Sequence, residues 1–136
     1  MAELAEILAL WKAARRDGDD LCLVTVVRTE GSSYRKPGAR MLLSQAGGRA
    51  GTISGGCLEA EVQKKAWWLT REGPTVERYS TFFDDDSDIP YGLGCGGTVW
   101  ALLERGGVVD AVLGAIEAGA EANSPVAMGA IIADDA

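Results

Sequence analysis

The sequence predicts an α/β fold, with α+β as the near alternative: one small mixed sheet of about five to six strands packed with three helices. Three observations predict it. Apolar residues recur at helical spacing near the N-terminus, at Leu4, Ile7, Leu8, Trp11 and Ala14. An apolar, β-branched run from Leu21 to Val27 follows almost at once. Finally, 136 residues with 47% hydrophobic and 24% charged side chains suffice for one buried core.

Each element has its own warrant. The first helix keeps its apolar residues at i, i+3, i+4 and i+7, and Asp17-Gly18-Asp19-Asp20 stops it. In Leu21 to Val27 only Thr25 interrupts the apolar run, as in a central strand covered on both faces, and Cys22 within it is packing rather than chemistry. Arg40 to Ser44 and Arg49 to Ile53 flank Gln45-Ala46-Gly47-Gly48, a hairpin signal because glycine supplies the positive φ of a tight turn. Leu58, Val62, Ala66 and Leu69 space a second helix between Cys57 and Thr70, stopped by Gly73-Pro74. Its neighbours Trp67 and Trp68 cannot both face one core, so one is expected at an interface, and with Trp100 they predict a homodimer. Val76 to Phe83 and Thr98 to Glu104 are further strands, and Val109, Val112, Leu113 and Ile116 mark a third helix. Pro125 to Ala133 reads as a last buried strand. No repeat or linker divides residues 1–136, so one domain is expected.

Composition removes several function classes. A net charge of -7 repels duplex nucleic acid and anionic lipid. The absence of histidine removes Ser-His-Asp triads, Cys-His dyads, Cys2His2 zinc and His-held haem. Cys22, Cys57 and Cys95 form no CxxC pair, and their odd number fits a reducing compartment, so a cytoplasmic protein is expected. The N-terminus has neither a basic n-region nor an apolar run long enough for a signal peptide or a membrane span.

Charge is segregated along the chain. Residues 31–58 contain Arg35, Lys36, Arg40 and Arg49 and no acid, a local +4. The remainder carries nine basic and twenty acidic residues. One positive, glycine-rich surface in an acidic protein suits an anionic small molecule such as a phosphate ester. Gly31-Ser32-Ser33-Tyr34-Arg35-Lys36-Pro37-Gly38 supplies the hydroxyls, amides and cations a phosphate cradle needs, without being a Walker A loop. Ser54-Gly55-Gly56-Cys57 leads into the second helix and places a thiol in its first turn, where the helix dipole favours thiolate, although Glu59 disfavours a neighbouring anion. Gly92-Leu93-Gly94-Cys95-Gly96-Gly97 formally matches GxGxxG but precedes a strand instead of opening a helix, so it is no dinucleotide fingerprint. It leaves Cys95 on bare backbone that a ligand can approach. The run Asp84-Asp85-Asp86-Ser87-Asp88 lacks EF-hand spacing and reads as a solvated loop.

Three blocks, GSSYRKPGARM at 31–41, GTISGGCLEAEV at 51–62 and YGLGCGGTVWALLE at 91–104, together resemble the XdhC/CoxI family of molybdenum-hydroxylase accessory proteins. The resemblance spans residues 4–104 and implies a single domain of that type over residues 1–136, with the family's C-terminal Rossmann-like domain expected to be absent. It implies a maturation factor without turnover of its own. Such a factor binds the molybdenum cofactor (molybdopterin) and assists its insertion into a xanthine dehydrogenase or carbon monoxide dehydrogenase-type enzyme. The implied partners are the molybdenum hydroxylase apo-enzyme and a sulfur-donating cysteine desulfurase. The cofactor-binding residues would be Ser32, Ser33, Arg35, Lys36, Arg40, Gly55, Gly56, Cys57, Gly94, Cys95, Gly96 and Gly97, with Cys57 and Cys95 as candidate ligands of molybdenum. The alternatives are a thiol redox protein cycling Cys57 and Cys95, and a cofactor-free interaction module.

Overall fold

A computed structural model of the chain describes residues 2–31, 36–54, 56, 58–80 and 97–121. In chain order the elements are α1 (Ala2–Asp17), β1 (Leu21–Gly31), β2 (Arg40–Ser44), β3 (Arg49–Gly51), α2 (Glu59–Leu69), β4 (Thr75–Ser80), β5 (Gly97–Arg105) and α3 (Gly107–Glu121). The α/β class is borne out, with three helices and five strands. The strands lie in the order β3-β2-β1-β5-β4, and each neighbouring pair is antiparallel, so the parallel pairing that a mixed sheet requires does not occur among the described residues. The physical reason is connectivity: β2 and β3 are joined by a tight turn, and α2 separates strands that are not neighbours. The strand expected at 125–133 lies outside the described residues.

β1 is central and its first four residues are buried, in accord with the unbroken apolar run. Its side chains alternate between two cores. Leu21 and Leu23 join Leu42, Ala50, and Ile7, Trp11 and Ala14 of α1 with Val109 and Leu113 of α3. Cys22, Val24 and Val26 join Met41, Leu43, Val99, Ala101 and Leu103 beneath Val62 and Ala66 of α2. The helices thus form layers on both sides of the sheet, with α1 and α3 on one side and α2 on the other. Trp11 Nε1 donates to Asp110 Oδ1 at 2.7 Å and Lys12 pairs with Glu117, tying α1 to α3.

The helix stops work as the sequence implies. Gly18 (φ +70°) follows α1, and Gly73 (φ +132°) follows α2 with its amide on the Thr70 carbonyl at 3.1 Å. In the hairpin, Ser44 N–H donates to the Gly48 carbonyl at 2.9 Å. β3 is shorter than expected and ends at Gly51, not Ile53. Gly51 has φ +80°, and a Cβ there would run into the Arg40 carbonyl oxygen and the Ile7 side chain. Gly51→Ala should therefore cost about 1–3 kcal/mol, from left-handed backbone strain plus overlap with a backbone atom that cannot move aside. Urea unfolding of the variant checks this, and an unchanged midpoint would contradict it.

Candidate functional site

Strand direction decides where the three motif blocks meet. β1 runs toward Gly31, which lies opposite Gly97 at the start of β5. Ser80, at the end of β4, lies opposite Thr98. β3 ends at Gly51 opposite Met41, next to the start of β2. The strand ends Gly31, Arg40, Gly51, Ser80 and Gly97 therefore all lie at one end of the sheet. The connections 18–20, 45–48, 70–74 and 106 occupy the other.

Among the expected site residues, Ser32, Ser33, Arg35, Gly55, Cys57, Gly94, Cys95 and Gly96 lie outside the described residues. Lys36 is exposed, and its carbonyl accepts from the Ala39 amide at 3.1 Å. Gly97 is buried at the first position of β5. Gly56 is exposed with φ +122°. Arg40 is half-buried on the α1/α3 face of the sheet, because it alternates with Leu42. Its Nη1 donates to the Gly38 carbonyl at 3.2 Å, while its Nε is buried with no hydrogen-bond partner. Burial lowers the pKa of this guanidinium, and the charge of Glu104 opposes the shift. Burial also raises the Glu104 carboxyl, opposed by Arg40. Each charge thus opposes the effect of burial on the other, and the arginine keeps donor capacity to spare.

The turn 52–58 is organised by Glu59, the first residue of α2, which is only 4% exposed. Its Oε2 accepts from the amides of Ile53 and Ser54, both at 2.8 Å, and from the Thr52 hydroxyl. Oε1 accepts from Ser54 Oγ at 2.6 Å and the amides of Gly56 at 3.0 Å and Leu58 at 3.3 Å. Ser54 Oγ in turn accepts from the Leu58 amide at 2.9 Å. Burial alone would raise the Glu59 carboxyl, but the hydroxyls of Ser54 and Thr52 and the amides of Ser54 and Ile53 outweigh it and hold the group at about 2. The sequence presented Glu59 as an opponent of a Cys57 thiolate and missed this role. Hydroxyls at 52 and 54 preceding a helix-initial acid were the available signal. The helix also begins at Glu59 with Leu58 as its N-cap, so position 57 precedes its first turn, contrary to the expected placement of the thiol.

Other groups fall away from this end or outside the expected set. Cys22 is fully buried, and burial pushes its thiol up to about 12, as expected of a packing cysteine. Trp67 packs at the edge of the α2 core with Arg105 over its ring, whereas Trp68 is exposed beneath Arg71, so the pair divides between core and surface. Arg28 and Arg78 flank Trp100 at 4.5 and 5.9 Å from its ring centroid. This cross-strand row is invisible to local spacing. A cleft of about 640 Å³ at the opposite end of the sheet is lined by Arg15, Arg71 and Arg105 together with Asp19, Asp20 and Asp110. Two of its cations are paired, Arg105 with Asp20 at 3.4 Å and Arg15 with Asp110 at 3.8 Å, while Arg71 stacks on Trp68. No group of three acidic or cysteine side chains suited to a metal occurs among the described residues, and the Cys57/Cys95 pair lies outside them.

By fold and site this is an antiparallel α/β domain whose glycine-rich, cationic connections gather at one end of the sheet. Residues 14–80 match the sequence profile of the XdhC and CoxI family, and over that segment the chain belongs to this family. It is 37% identical over 94 residues to a Bacillus subtilis (strain 168) protein named as a probable subunit of xanthine dehydrogenase, covering 68% of this chain and 28% of that protein. A crystal structure described as a xanthine dehydrogenase from Bacillus halodurans superposes with a TM-score of 0.58 at 34% identity, covering 77% of this chain and 30% of the other. The chain thus spans less than a third of either relative.

Two outcomes test this geometry. Glu59 has a folded pKa of about 2, below its ordinary value of 4.5, so its contribution to stability is present above pH 4.5 and is lost as the pH falls toward 2. The stability gap between wild type and Glu59→Gln should narrow over that window by up to about 3 kcal/mol. A pH-independent gap in urea titrations would contradict the hydrogen-bond assignment. Cys22 should resist iodoacetamide at neutral pH until denaturant unfolds the chain, read by peptide mass spectrometry.

Proposed function

We propose that this chain is the cofactor-holding part of an accessory factor for a molybdenum hydroxylase of the xanthine or carbon monoxide dehydrogenase type. It keeps the molybdenum cofactor and passes it to the apo-enzyme without turnover of its own. The observation that carries this reading is that the described strand ends belonging to the three family blocks, Gly31 with Gly97 and Met41 with Gly51, lie at one end of the sheet, with the uncommitted donor of Arg40 beside them. The names of the two relatives point to the same enzyme class.

The residues present fit such a ligand. Arg40, with Lys36 and Arg35, offers cations to its phosphate; glycine-rich backbone admits a flat heterocycle; and Cys57 and Cys95 supply soft donors for the metal. When bound, the group supplies oxygen-transfer chemistry that belongs to the recipient enzyme, not to this chain. The protein's own residues bind, orient and release it. A reducing cytoplasm, a homodimer, and contact with a cysteine desulfurase that delivers sulfur belong to the same proposal.

Anaerobic equilibrium dialysis with purified molybdenum cofactor tests it. Wild type should retain the cofactor. Arg40→Ala should weaken retention about tenfold, a loss of about 1.4 kcal/mol, in the range of one hydrogen bond to a charged group. Failure of well-folded wild type to retain any cofactor would overturn the reading.

A further inference from the structure

We propose that Glu59 is the positioning residue of this site: a built-in anion that gathers the donors of Thr52, Ile53, Ser54, Gly56 and Leu58 and thereby fixes the backbone leading into α2. The proposal rests on the cofactor reading above and assigns a role to a residue outside the expected binding set.

The geometry is that of a backbone anion nest, with the anion supplied by the chain itself. Four amides (Ile53, Ser54, Gly56, Leu58) and two hydroxyls (Thr52, Ser54) point at one carboxylate. What holds its pKa down is hydroxyl and amide hydrogen bonding, so the charge is balanced by backbone and hydroxyl dipoles. Unbonded buried amides are costly, and a turn whose amides have one common acceptor takes its shape from that acceptor. The bonded residues 52, 53, 54, 56 and 58 run up to the start of α2, so Glu59 sets the backbone at each of these positions. The carboxylate is itself anchored, since it belongs to α2, whose Val62 and Ala66 are fully buried against the sheet. The chain of support thus runs from core to helix, from helix to carboxylate, and from carboxylate to turn.

The same arrangement divides the work of binding. Among the described residues, the amides of Ile53, Ser54, Gly56 and Leu58 are committed to Glu59. Countercharge for an anionic ligand is then supplied by the unpartnered Arg40 Nε rather than by these four amides.

Replacing the carboxylate and returning it as a solute provides the test. In Glu59→Ala, amide exchange at Ile53, Ser54, Gly56 and Leu58 should accelerate at least about tenfold, and cofactor retention should fall by a similar factor, the usual scale for losing an outer support of a ligand site. Formate or acetate should restore both, and formamide or chloride at equal ionic strength should not. Val109→Ala, which loosens the start of α3 on the other face of the sheet, should lower stability without changing retention. If Glu59→Ala does not fold, Glu59→Gln carries the test, because its amide nitrogen meets donors and the same exchange increase is expected. Unchanged exchange, equal rescue by formamide, or an equal loss of retention in Val109→Ala would overturn the proposal. Wild type that retains no cofactor would overturn the reading of function instead, and exchange with carboxylate rescue would still decide what Glu59 does to the turn.

Discussion

β1 is the constraint on which the rest of the structure depends. It pairs with β2 on one side and β5 on the other, and residues 21–24 are buried on both faces of the sheet. A strand with no free edge and no free face cannot be stable until other elements cover it. That requirement places α1 and α3 over Leu21 and Leu23 and α2 over Cys22, Val24 and Val26. It also fixes strand polarity. With every neighbour antiparallel, successive connections must alternate between the two ends of the sheet, and the three glycine-rich blocks fall at the same end.

Much of this frame was legible because it is written in local periodicity. The buried residues of α1, Ile7, Trp11 and Ala14, are among those that helical spacing selects, and Val109 and Leu113 of α3 likewise. The hairpin at 45–48 follows from two glycines between short apolar runs. Strand order and polarity were less legible, since a buried strand in a parallel sheet and one in the middle of an antiparallel sheet carry the same apolar run. The register shift between Val26 and Arg28 was also hidden. Beyond it Arg28 aligns with Trp100 and Arg78, a contact between residues 28, 78 and 100 that no window of sequence contains.

The candidate site shows the same division. Sequence located its cations and glycines, because net charge and backbone freedom are properties of the residue itself. It misjudged Glu59, because the effect of a carboxylate depends on what points at it. Against solvent, an acid two residues from a thiol is an electrostatic opponent. With two hydroxyls and four amides directed at it, its charge is spent on the turn and its main effect becomes geometric. Burial and hydrogen bonding act on its ionisation in opposite directions, and hydrogen bonding wins.

Arg40 and Glu59 complete the logic from opposite sides of the hairpin. Arg40 opens β2 on the face covered by α1 and α3, while Glu59 opens α2 on the other face. The two are joined through a close backbone approach, the carbonyl of Arg40 against Gly51, where any side chain would intrude. Gly51 lies one residue before Thr52, the first donor to Glu59. A displacement of Arg40 therefore has a short covalent and packed path to the turn that Glu59 holds, and a displacement of the turn has the same path back. A half-buried cation with an unused donor and a buried anion whose oxygens already accept six hydrogen bonds are asymmetric by construction. The anion finishes the protein's own structure, and the cation retains capacity for something outside it.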